Sequence, residues 1–110
     1  MKMFLFFALL FLPATALHAE SFKDQHTVCA AFSMFAETAM KVRQEGKPLH
    51  KLTNGILEST ENPKELNDIL VKIVAAAYEF PRYTTPAYQQ KAIQDFSNDI
   101  YINCMGDALK

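Results

Sequence analysis

Cys29 and Cys104 are the only cysteines in this chain of 110 residues, and no other side chains in it are so well suited to forming a covalent bond. His26 and His50 follow them as candidate metal ligands or proton carriers, since the third histidine, His18, lies close to the N-terminus. Neither histidine has a second ligand at HxxxH or HExxH spacing, and the cysteines are not in a CxxC arrangement, so no metal centre is predicted. Carboxylates occur in helix-spaced pairs, Glu58 with Glu61, Glu61 with Glu65 and Asp95 with Asp99, and such pairs can exchange protons. The same spacing is what any solvated helix face contains. Ser33, Ser59 and Ser97 stand outside any GxSxG elbow. With three glycines in the whole chain, no phosphate-cradling loop is available. The sequence therefore predicts no catalytic residue, no metal site and no cofactor, and an enzyme is not expected.

Surface recognition is the remaining chemistry. The stretch AAAYEFPRY, residues 75–83, leads to a second cap, and Tyr78, Tyr83 and Tyr88 surround Arg82 between two helices. Tyrosine with arginine is the composition enriched at binding hot spots. The competing reading is that these rings close the end of a helical bundle, as large rings do in small cores. Helical phase assigns Phe80 to the core and Tyr78 to its flank. Arg82 and Tyr83 then lie outside the helix. Tyr78, Arg82, Tyr83 and Tyr88 are the candidate partner-binding residues.

The N-terminus decides where these residues would work. Lys2 is followed by the nine-residue apolar run Phe4 to Leu12, then by Pro13 and small residues, the three-part pattern of a secretory signal peptide. A membrane-spanning helix needs about 20 apolar residues, so a cleaved leader over 1–19 is expected, with cleavage after Ala19 or alternatively after Ala16. Residues 20–110 then form a single helical domain in the periplasm. The leader removes Lys2, one of eleven basic side chains, against twelve acidic ones that all remain. The resulting negative balance, without a basic cluster, excludes nucleic acid as the expected partner and offers no polybasic membrane anchor. No span is expected after cleavage. In an oxidising compartment, an even cysteine count in a small domain predicts a disulfide between Cys29 and Cys104. Closing a loop of about 75 residues stabilises a fold by about 4 to 5 kcal/mol on the chain-entropy model.

Helical periodicity supplies the elements that must position these groups. Val28, Phe32, Phe35, Ala39 and Val42 form a stripe on a first helix over about 22–45, capped by Ser21 and stopped by Gly46 and Pro48. Leu49, Leu52, Ile56 and Leu57 mark a short second helix weakened by Gly55. Asn62, Pro63 and Glu65 predict the start of a third by a capping box, with Leu66, Ile69, Ile73, Ala76 and Phe80 as its stripe. Thr85 and Pro86 start the fourth, which carries Ile93, Phe96, Ile100 and Cys104 and is expected to end at Gly106. A disulfide requires Cα atoms within about 7 Å, so the first and last helices should run antiparallel. The predicted fold is all-α, a small bundle of three long helices and one short one, with the disulfide joining the first and last.

Taken together, Cys29, Arg43 with Gly46 in RQEG, AYEFP at 77–81, Phe96, Tyr101 and Cys104 resemble a loose group of short exported two-cysteine proteins of Gram-negative bacteria and their prophages. The resemblance implies a periplasmic helical protein and no mechanism. In architecture the pattern is also similar to small phage exclusion and antiholin proteins, to periplasmic immunity proteins and to acid-activated periplasmic chaperones. The leading expectation is a non-enzymatic protein-binding module of inhibitor or immunity type, acting on another envelope or periplasmic protein. The alternatives are an acid or envelope stress chaperone and a phage exclusion or lysis-control factor.

Overall fold

The structure, a computed structural model, describes the backbone of residues 2–109 and the side chains of residues 23–106. It contains four helices, α1 (Lys2–Gln44), α2 (Leu49–Leu57), α3 (Lys64–Tyr78) and α4 (Pro86–Leu109), and no strand among the described residues. The chain is thus all-α, as its periodicity predicts. α1 runs through the expected cap at Ser21, with no glycine or proline in residues 14–45 to interrupt it there. The side chains of the expected leader, 1–19, lie outside the described residues.

α1 is the organising element, packing along α4 and against α3, while α2 rests on α3. The disulfide is present: Cys29 and Cys104 are joined, with Cα atoms 5.5 Å apart. Deeper along α1, Ser33 Oγ donates to the Ser97 carbonyl at 3.0 Å, and Ser97 Oγ returns a bond to the Ser33 carbonyl at 3.2 Å. Partner numbers in α4 fall as those in α1 rise, so the two helices are antiparallel. Gln25 covers the staple, its side-chain amide nitrogen 3.3 Å from the Cys29 sulfur and 3.7 Å from that of Cys104. His26 Nδ1 lies 2.7 Å from the Tyr101 hydroxyl, with the two rings edge to face.

The core is Ala36, Ala39, Met40, Ile73, Val74, Ala77, Ala92, Ile93 and Phe96. Met40 and Val74 are fully buried, and Phe80 meets Phe96 edge to face at 5.5 Å, as its expected core position requires. The buried face of α1 is rotated from the expected stripe. Ala39 of that stripe is buried, together with Cys29, Ala36 and Met40 outside it, whereas Val28 is exposed and Phe32, Phe35 and Val42 are only partly covered. Phe32 and Phe35 pack against the core cluster from its margin. On α3, Ile73 of the expected stripe is buried, and Val74 and Ala77 beside the stripe are buried with it, while Ile69 is exposed.

Three cap expectations separate. Thr85 Oγ1 accepts the Tyr88 N–H at 3.4 Å and Pro86 opens α4, as predicted. At α3 no capping box forms, because Pro63 itself occupies the cap and its carbonyl accepts the Leu66 and Asn67 N–H groups. Gly106 does not end α4, which continues to Leu109; Gly46 is the one described residue with positive φ, so Gly106 keeps ordinary helical geometry.

Candidate functional site

α1 ends in a complete C-terminal cap. Gly46 has φ +84°, its N–H donates to Arg43 O at 3.0 Å, and the Lys47 N–H reaches Val42 O at 3.3 Å. This is the paired bonding of a Schellman motif, in which a glycine occupies the left-handed position without steric cost. A helix end still leaves carbonyl groups without partners. Arg82, from the α3–α4 connection, supplies them: its Nε donates to Gln44 O at 2.9 Å and its Nη2 to Glu45 O at 3.4 Å. The cation also complements the negative end of the α1 dipole. A Cβ on Gly46 would lie 2.8 Å from Arg82 Cζ, so the same glycine provides both the turn and the space for the guanidinium.

Gln44 locks the connection from below. It is buried, its Nε2 donates to Pro81 O at 3.0 Å, and its Oε1 accepts the Tyr83 N–H at 2.8 Å. Arg43 Nε donates to Phe80 O at 3.1 Å, and Gln89 Nε2 to Tyr83 O at 2.7 Å. Polar groups of residues 80–83 are thereby satisfied by α1 and α4. A buried amide with all its contacts made directs one loop conformation rather than several.

The four candidate residues divide into two pairs. Tyr78 and Arg82 face the end of α1. The Tyr78 hydroxyl donates to Lys47 O, and Arg43 Cζ lies over its ring at 5.1 Å from the centroid. Burial pushes the Tyr78 phenol above its ordinary value, and the Arg43 charge partly offsets this. Tyr83 and Tyr88 form the second pair, with ring centroids 6.0 Å apart and planes tilted by 32°. Tyr88 is 62% exposed. Arg82 stands outside the helices as expected, yet it holds α1 rather than hanging free.

Gln44 and Lys41 are not legible as site residues in the sequence. Glutamine at a helix end carries no signal of burial, and Lys41 looks like any solvated lysine until α4 is placed beside it. In the fold both line a cleft of about 450 Å³ between the last turns of α1 and the first turns of α4, to which Arg82 also contributes. A second groove, of about 420 Å³, runs between α1, α2 and α3 and is lined mainly by Phe35, Val42, Leu52, Ile56, Leu70 and Val74. Among the described residues no group of three His, Cys, Asp or Glu side chains could hold a metal ion. No helix among them is long and apolar enough to cross a membrane. Comparison with family models, with curated proteins and with solved structures finds no match for this chain.

Proposed function

We propose that this chain is an exported, non-enzymatic protein-binding module that contacts another envelope protein through the α3–α4 connection and the first turns of α4. The observation that carries this reading is the Tyr83–Tyr88 pair, which presents aromatic surface from a loop already fixed by Gln44, Arg43 and Gln89. A rigid aromatic anchor loses little conformational freedom on binding, so more of its contact energy appears as affinity. Export rests on the leader pattern and is compatible with the disulfide.

A photo-crosslinking residue at position 88, in cells that export the protein, tests the reading. We expect capture of one specific envelope protein, lost in Tyr83→Ala while the helical circular dichroism persists. Capture unchanged by Tyr83→Ala would remove this face as the contact. The acid-stress alternative needs carboxylates stabilised as charged groups by folding. The described ion pairs, Lys47–Glu45, Lys64–Asp68 and Lys91–Asp95, are all exposed and would contribute little to such a switch.

A further inference from the structure

Arg82 is positioned before any partner arrives. A guanidinium carries five N–H donors. Its Nε–H and one Nη2–H serve the α1 carbonyls, and the other Nη2–H and both on Nη1 have no partner among the described residues. Lys41 lines the same cleft, is exposed, and forms no ion pair among the described residues. Gln90 also lines it, with no described side-chain bond, and Ile93 lies buried alongside. Glu45 is the only carboxylate lining the cleft, and its Oε2 lies 3.5 Å from Lys47 Nζ. Two cations and a donor amide therefore meet one carboxylate that already has a partner.

We propose that this cleft is a carboxylate-binding site, which receives an acidic side chain of the protein partner beside the Tyr83–Tyr88 pair. The identity of the bearer rests on the protein-binding reading above; the chemistry of the cleft does not. The guanidinium fork matches a carboxylate by paired N–H···O bonds, which are charge-assisted and stronger than neutral ones. Its bonds to Gln44 O and Glu45 O hold that fork in place, so less freedom is lost when the acid arrives. Lys41 adds a point charge from the α1 wall of the cleft. With Glu45 and the α1 carbonyls nearby, a single negative charge suits the cleft better than the double charge of a phosphate.

The test uses the oxidised full chain and small probes observed by NMR. N-acetylglutamate α-amide carries one side-chain carboxylate, and N-acetylglutamine α-amide is its neutral isostere. We expect millimolar glutamate probe to shift the Arg82 Nε–H and Gln90 side-chain amide signals, and the glutamine probe to leave them in place. Lys41→Glu, a change at an exposed position without side-chain bonds, should weaken the glutamate probe about tenfold, the scale of one charge-assisted hydrogen bond. Arg82→Lys should weaken it too, because the charge remains but the fork is lost. Absence of the shifts, equal shifts from both probes, insensitivity to Lys41→Glu, or tighter binding of inorganic phosphate would each overturn the assignment. If the probe fails while crosslinking at position 88 still depends on Tyr83, the cleft falls and the binding face stands. If the probe binds while capture ignores Tyr83, the face falls and the cleft stands.

Discussion

The seam between α1 and α4 and the shelf formed by α2 on α3 are held by different forces. Along the seam, the His26–Tyr101 contact, the disulfide and a reciprocal serine pair follow one another down α1, and the Gln44 network then ties its last turn to the connection that leads into α4. These ties are directional, so they fix register as well as adhesion. α2 has no buried residue, and Leu52 and Ile56 only rest against the core, with the apolar groove between them and α1. Contacts of that kind are non-directional and scale with area removed from water. Directional ties place the tyrosine pair and the Arg82 cleft on the rigid side of the molecule. The shelf should open first, because local stability follows buried contact.

The largest test of this contrast is removal of the staple. Cys29→Ala with Cys104→Ala should cost about 4 to 5 kcal/mol in denaturant unfolding, for the loop of 75 residues that the disulfide closes. Hydrogen exchange should then rise first in the outer turns of α1 and α4. A loss below about 1 kcal/mol would mean that the serine and glutamine bonds dominate the seam.

Gly46→Ala comes next, at about 1 to 2 kcal/mol, because a Cβ strains the left-handed position and meets the Arg82 guanidinium. The decisive readout is the Arg82 Nε–H signal, which should move as its bond to Gln44 O is displaced. A stability loss without that movement would separate the turn from the clamp.

Tyr78→Phe should cost about 1 kcal/mol at neutral pH by removing the bond to Lys47 O. Its pH dependence is more specific. Burial raises the folded phenol above its ordinary 10.0, so the contribution is complete below pH 10, where both states keep the proton. As pH rises through the raised value, the unfolded chain ionises first and the stability is lost, since a phenolate cannot donate to Lys47 O. The native chain should therefore lose more stability above pH 10 than Tyr78→Phe does; parallel curves would show that the hydroxyl contributes nothing there.

The smallest effect belongs to the shelf. A Cβ at Gly55 meets nothing within 4 Å, so Gly55→Ala should stabilise α2 by up to about 1 kcal/mol. If the shelf opens locally, exchange in α2 slows while the global unfolding midpoint hardly moves. A full shift of the midpoint would show that α2 unfolds with the seam.

Much of this architecture was legible in the chain. Cysteine count, the leader pattern and helical spacing pointed to four helices, their antiparallel ends and the staple, because period and covalent reach are local or geometric properties. Gly46 with Pro48 and Thr85 with Pro86 marked real boundaries for the same reason. Asn62 did not cap α3, and Gly106 did not end α4, since a favourable residue at a boundary does not oblige the backbone to use it. The candidate site was only half legible. Tyr83 and Tyr88 could be chosen by type, but phase could not show that Arg82 turns back onto Gln44 and Glu45. Residues of no distinctive chemistry, Lys41, Gln44 and Gln90, acquire roles only when α1 and α4 stand side by side. Periodicity states which residues can share a face; which face is buried, and which cation is already committed, depends on neighbours about 40 positions away in the chain, which only packing brings within reach.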